Sequence, residues 1–304
     1  MNWQVTVAYS PVYELMASLH TYINRGSHKK IDLPLSWIEE TSSKLTPELN
    51  EALQRMKLDD EWKSAYLLAM LCPDKKSAEQ FLGWLDKLDT KQMKALFAEY
   101  SHPYPDDLEQ YRTRITALLR EWHLQYFSKL DPAIGHALEQ EAKARSKMLQ
   151  KLPAESAIDE TTNGLMFRPL PGMSQLILIP QYHFQPRNIV YHFDHYIVCF
   201  YNARLYFGDP DTIPTPDLNL LRSLGEKNRL KILRYVAEKP RTFIEIVRYL
   251  GLSKGITHDH LAKLRNAGLL YAHLEGENVT EYSIRTKSIY QVENKLLHYI
   301  EARP

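Results

Sequence analysis

The sequence predicts an α+β chain: a mostly helical amino-terminal domain carrying a small antiparallel sheet, followed by a carboxy-terminal segment of short helices and a hairpin. Three observations predict it. Apolar residues recur at three and four spacing, with glycine almost absent, between about residues 35 and 150; four short runs rich in Ile, Val, Tyr and Phe follow Pro153; and an ordered series of helix caps begins near Leu218. A length of 304 residues with 44% hydrophobic and 25% charged residues suits about two domains with buried cores. Collagen-like, low-complexity and wholly disordered chains are thereby excluded.

Cys72 and Cys199, the two cysteines, cannot build a disulfide framework or a cysteine-rich zinc site, so reduced thiols and a cytoplasmic location are expected. The opening Met1 to Ser10 has no basic flank and no apolar stretch of signal-peptide length, and the longest apolar runs are too short to cross a bilayer. No membrane partner is expected.

Taken in order, Trp3, Val5 and Val7 alternate with polar residues as in a half-buried strand, and Ser10-Pro11 offers an N-cap with proline at the first helical position. Breaks at Cys72-Pro73-Asp74, Asp89-Thr90 and His102 to Pro105 divide the helical region, and two helices are expected to meet near Asp131-Pro132. Gly164 to Leu170, Ser174 to Gln181, Arg187 to Phe193 and His195 to Asn202 are the four strands assigned to the antiparallel sheet. Gly208 to Asp217, with three prolines and three aspartates, marks the boundary between a domain at 1–210 and one at 217–304.

Beyond that boundary the signals align. Thr242 and Glu245 form a capping box, Gly251 ends the helix it opens, and Ser253 caps the next. Two short helices meeting at a tight Gly-Leu-Ser turn make a helix-turn-helix, whose second helix fits a major groove about 12 Å wide. Thr257, Leu261, Leu264 and Ala267 make its buried stripe, leaving Lys254, Gly255, His258, Asp259 and Lys263 outward. The runs Leu269 to Leu274 and Thr280 to Ile284 read as a hairpin wing, and Ile289, Val292, Leu296, Leu297 and Ile300 give a terminal helix an apolar stripe. That stripe needs a partner, and a second copy of the chain would supply one, giving a twofold dimer on an inverted-repeat operator. Charge agrees with this division: residues 217–304 hold 15 Lys and Arg against 10 Asp and Glu, whereas 1–216 hold 23 against 27.

Residues 217–286 resemble the winged helix-turn-helix of ArsR-type bacterial regulators. The resemblance lies in Asn228-Arg229-Leu230, in the serine-led helix with His260-Leu261, and in the Lys263 to Gly268 ending. It implies a dimeric transcriptional repressor that binds double-stranded DNA and leaves it on meeting an effector, with Ser253, Lys254, Gly255, His258, Asp259, Lys263 and Arg265 as the DNA-binding residues. Three features depart from the family. No cysteine falls near Ile244 to Val247, where its metal-sensing pair would lie; Asp259 stands where histidine is common, and either accepts from cytosine N4 or repels phosphate; and the wing carries Glu275 and Glu277 without a single Lys or Arg.

The long module before the reader is expected to sense an unknown small molecule or to contact a protein. Its densest chemistry is His183, His192, Asp194 and His195, with His192 and Asp194 expected on one strand face. Tyr182, His183, His192 and His195 are accordingly the candidate ligand-binding residues, although their aromatic neighbours favour ordinary packing. No metal or cofactor is assigned, and no Walker loop, GxGxxG, HExxH or nucleophile elbow occurs. The alternative function is an enzyme or metal-binding protein that uses its winged helix only for dimerisation or protein contact.

Overall fold

The computed structural model describes residues 3–207 and 212–301, and its contacts divide the chain into two units. The first comprises Met1–Lys147 with Gly172–Ala203, the second Met148–Pro171 with Arg204–Pro304. Residues 208–211 of the expected boundary lie outside the described residues.

In the first unit β1 (Gln4–Val7) leads into α1 (Pro11–Ile23), capped by the Ser10 hydroxyl accepting from the Val12 N–H. Apolar side chains on every face of α1 are buried, as required of a helix packed by α4 (Asp60–Leu71), α5 (Ala78–Lys87) and α7 (Leu108–Gln125); α2 (Trp37–Lys44), α3 (Pro47–Arg55) and α6 (Thr90–Glu99) are the other helices of this part of the chain. Leu15, Met16 and Leu19 of α1 join Trp62, Tyr66, Phe81, Phe97 and Trp122 in one core. Side-chain caps start most of these helices, including Thr46, Asp59, Ser77 and Asp107, and Asp89 with Gln92 forms a reciprocal capping box. The helix α8 (Pro132–Lys151) begins where Asp131-Pro132 predicts and is followed by α9 (Ala154–Thr162).

The strands correct the sequence reading. β2 (Leu165–Phe167) is not in the first sheet, and the remaining strands β3 (Gln175–Gln181), β4 (Ile189–Phe193) and β5 (Tyr196–Asn202) combine with β1 in the order β1-β3-β5-β4. β1 pairs parallel with β3, β3 parallel with β5, and only β5 with β4 is antiparallel, so the sheet is mixed. Its physical cause is visible in the burial. β3 and β5 are near-continuous apolar runs buried on both faces, as central parallel strands are, while β1 and β4 are partly exposed edges.

The second unit holds α10 (Thr215–Leu224), α11 (Lys227–Glu238), α12 (Phe243–Leu250), α13 (Lys254–Asn266), the hairpin β6 (Leu270–Glu275) and β7 (Asn278–Ile284), then α14 (Thr286–Tyr290) and α15 (Val292–Glu301). Ile232, Leu233, Val236, Ile246, Leu261, Leu264 and Leu270 are its core. The expectation of an uninterrupted first domain to residue 210 fails here, because Met148–Pro171 packs with this unit. β2 adds a parallel strand to β6, with Leu165 opposite Ala272 and Phe167 opposite Leu274. Asn163 ends α9 in the left-handed region at φ 58°, and Gly164 follows at φ 107°. A Cβ on Gly164 would stand 2.6 Å from the Leu270 carbonyl oxygen, so the strand can approach β6 only with glycine there.

An ionic cluster fixes the same segment. Asp159 accepts from Arg285 Nε at 2.7 Å and pairs with Lys287, while Tyr271 Oη donates to Asp159 at 3.2 Å. The Arg285 guanidinium also donates to Asn163 Oδ1, to the Gly268 carbonyl and to Ser288 Oγ. Asp159 and Arg285 are both buried, and this network supplies the partners a buried charge requires. Among the described residues no helix is long and apolar enough to cross a membrane.

Candidate nucleic-acid interface

The reader is assembled from its caps outward. Glu226 starts α11 by accepting from the Asn228 and Arg229 N–H groups at 3.1 and 2.8 Å. Burial pushes its carboxyl up, but these two N–H groups prevail and hold it below the usual range. Arg229 lies buried, donating to the Ser223 and Arg222 carbonyls at the end of α10, so its place in the family pattern is architectural. The Thr242–Glu245 capping box is complete, and the N–H and hydroxyl of Thr242 keep the Glu245 carboxyl below its ordinary range. Arg241, just before this box, exchanges both backbone hydrogen bonds with Tyr282, tying the start of α12 to β7.

Gly251 then turns the chain at φ 66°, a left-handed position that glycine takes without cost. Ser253 Oγ accepts from the Ile256 N–H at 3.3 Å and opens α13. Thr257, Leu261 and Leu264 face the core, as the spacing predicts, and Ala267 is half-buried at the helix end. Ser253, Lys254, Gly255, His258 and Lys263 are exposed. Lys254 makes no ion pair among the described residues, and it sits in the first turn, where the helix dipole favours anions. Asp259 is half-buried and pairs with Lys263 at 2.7 Å, so one recognition-helix cation is already matched by its own helix. His258 sets its ring edge-on to Phe243 at 6.5 Å, which orients it from α12. Arg265 is only half-exposed, at the carboxy-terminal end of α13.

Ile256, outside the residues that the sequence marks for DNA contact, is 51% exposed on the first turn of α13. An apolar side chain there is suited to the methyl group of thymine. Its signal was its absence from the 257-261-264 stripe. The hairpin turns at Gly276-Glu277 with a bulge between His273 and Leu274, and its acidic tip is as the sequence indicates. Arg168, directly after β2, pairs with Glu281 of β7, bringing a cation to a wing that has none of its own. No pattern within residues 217–304 could have revealed it.

A family model described as "Bacterial regulatory protein, arsR family" matches residues 226–272, the stretch from the Glu226 cap through the recognition helix into β6. The chain carries an arsR-family helix-turn-helix. The match covers under a sixth of the chain, and what it supports is a DNA-binding transcription regulator. No curated protein and no solved structure matches the chain. Residues outside 226–272 are not covered by that family model.

The candidate sensing residues of that remaining part do not converge. His183 is buried and takes part in a hydrogen-bonded chain: Trp37 Nε1 donates to Tyr126 Oη at 2.8 Å, Tyr126 Oη meets His183 Nε2 at 2.7 Å, and His183 Nδ1 contacts the Glu14 carboxylate. Glu14 also accepts from the backbone N–H groups of Tyr182 and His183 at 3.0 and 3.1 Å. Each polar atom of this chain is satisfied within the protein, which leaves little for a ligand to claim. His192 lies on β4, but Asp194 falls in the turn after it at φ 49°, so the two do not share a strand face as expected. His195 stacks on Tyr100 at 5.7 Å and contacts Asp194 at 3.1 Å. Among the described residues no group of three or more His, Cys, Asp or Glu side chains gathers closely enough to hold a metal ion.

Proposed function

We propose that the protein is a dimeric repressor that reads an inverted-repeat operator with α13 and is released or retained through its amino-terminal unit. Residues 217–304 bind DNA and dimerise, and the long module before them senses an effector. The observation that carries this reading is the exposed row Ser253, Lys254, Gly255 and His258 at the amino-terminal end of a capped, core-anchored helix. Lys254 and Lys263 contact phosphate, His258 reads a base edge, and the Ser253 hydroxyl serves the cap.

Dimerisation rests on α15. Ile289 and Val292 pack on the unit's own core, whereas Leu296, Leu297 and Ile300 remain 37, 43 and 65% exposed. The apolar stripe is thus split, its first half used within the protomer and its second half left for another surface. A second copy buries it with twofold symmetry.

The test is footprint titration of the purified protein on genomic fragments around its own gene, at low and at moderate salt. A protected inverted repeat, lost when Lys254 and His258 are both replaced by alanine, is the expected result. Uniform protection at every fragment, or none at low salt with α13 folded, would contradict it.

A further inference from the structure

The positive charge of the reader is not spread evenly along its sequence. From the last turn of α10 through α11 to Arg241, residues 222–241 hold seven Lys and Arg against two Glu, whereas the remainder of 217–304 holds eight against eight. The remainder includes α13 and the wing. Its charges cancel, so the whole excess of the segment lies on and beside α11.

Both acids of this stretch are set against cations. Glu238 pairs with Arg241 at 2.8 Å, and Glu226 faces the buried Arg229 and lies 3.5 Å from His260 Nδ1. Each keeps its full negative charge in the count, and five positive charges are still left over. Among these, Lys227, Lys231 and Arg234 are exposed and make no ion pair among the described residues. They recur at i, i+4 and i+7, so they form one line on the face opposite the buried Ile232, Leu233 and Val236.

The packing of α11 sets that line beside the recognition helix. At its start, Glu226 meets His260, which stands on the flank of α13 that carries its i−4 and i+3 neighbours, the exposed Ile256 and Lys263. Toward its end, Tyr235 stacks on Tyr249 with ring centroids 4.0 Å apart, in the last turn of α12 just before the Gly251–Ser253 turn. The helix therefore runs alongside α13 from the level of His260 toward the turn that opens it. Lys227 to Arg234 spans a rise of about 10 Å, close to three base-pair steps of about 3.4 Å each.

We infer that α11 grips the phosphate backbone of duplex DNA through Lys227, Lys231 and Arg234, supplying the sequence-independent hold that the acidic wing does not. The inference rests on the reading of α13 as the base-contacting helix and divides the work between the two: α13 selects the sequence, and α11 contributes affinity by displacing counterions.

Salt-dependent anisotropy titration of the full chain on the protected operator fragment, and on an unrelated duplex of equal length, tests this. The double variant Lys231→Ala/Arg234→Ala should lower the slope of log K against log salt by about 2 on both duplexes, leaving the ratio of the two affinities unchanged. Lys227→Ala alone should lower it by about 1, and gives an independent measure if the double variant has an altered melting temperature. Lys91→Ala/Lys94→Ala, which removes the same charge from exposed positions of α6, should leave the slope as it is. Unchanged slopes in the α11 variants would overturn the inference, as would an equal fall in the α6 control, which would assign the effect to overall charge. A fall confined to the operator fragment would also overturn it, since a phosphate contact acts on every sequence. If the α11 variants leave the slopes unchanged while Lys254→Ala/His258→Ala abolishes operator binding, the inference fails and the reading of α13 stands. The opposite pattern keeps the grip of α11 and removes α13 as the reader, and a chain that binds neither duplex at low salt loses both.

Discussion

The two units handle their polar residues in opposite ways. In the first, a set of buried polar side chains faces inward: Glu14, His183 and Tyr126 consume one another's hydrogen bonds, and His20 is enclosed with Trp62. In the second, buried polar groups such as Asp159 and Arg285 anchor the frame, while Lys254 stands exposed on a capped helix with no ion pair among the described residues. Clusters of functional residue types in a sequence therefore carry little meaning until their satisfaction is known. What separates architecture from interface is whether the protein has already supplied each group's partner.

The comparison breaks most severely if its anchors are removed. Asp159→Ala leaves Arg285 buried without its carboxylate and should cost about 3–5 kcal/mol in the second unit, read by chemical denaturation. An effect below about 1 kcal/mol would show that the cluster does not hold α9 and β2 in place. Gly164→Ala should act in the same direction, since its methyl group meets the Leu270 carbonyl.

Acid should distinguish the first unit next. Burial lowers the His20 pKa from 6.5 to about 3, so the folded chain keeps this ring neutral where the unfolded chain protonates it. The unfolded state then binds the extra proton between those values, and stability falls as pH drops from about 6.5 toward about 3, by about 1 kcal/mol per pH unit from this group. Replacing His20 with Gln should flatten that slope in denaturation series between pH 6 and pH 4. A slope unchanged by the substitution would place the acid sensitivity elsewhere.

Smaller effects sharpen the second unit. Ser253→Ala should cost about 1 kcal/mol through the lost cap of α13, seen as a lower melting temperature. Asp259→Asn should release Lys263 from its internal pair and tighten DNA binding severalfold at low salt, measured by anisotropy. Weaker binding instead would favour the reading in which Asp259 accepts from cytosine.

These contrasts also show what the sequence could reveal. The caps and turns of the reader are local, so Thr242, Glu245, Gly251 and Ser253 announce it without tertiary information. The strand pairing of β1 with β3 joins residues about 170 apart, and that of β2 with β6 about 107 apart; no local pattern encodes either. Gly164 opens an expected strand, but nothing local says which strand edge requires glycine there. A cavity between α3, α4 and α7 has no local signature, because its floor residues belong to separate helices, each of which reads as ordinary core.

The central claim is that the first turns of α13 meet nucleic acid. It is tested most directly by the salt dependence of affinity for the protected fragment, comparing the unaltered protein with Lys254→Ala and Lys263→Ala from about 50 to 200 mM salt. Each substitution should reduce the slope of log K against log salt by roughly 1 while leaving the fold intact. Slopes and affinities identical in all three proteins would show that this helix does not touch DNA.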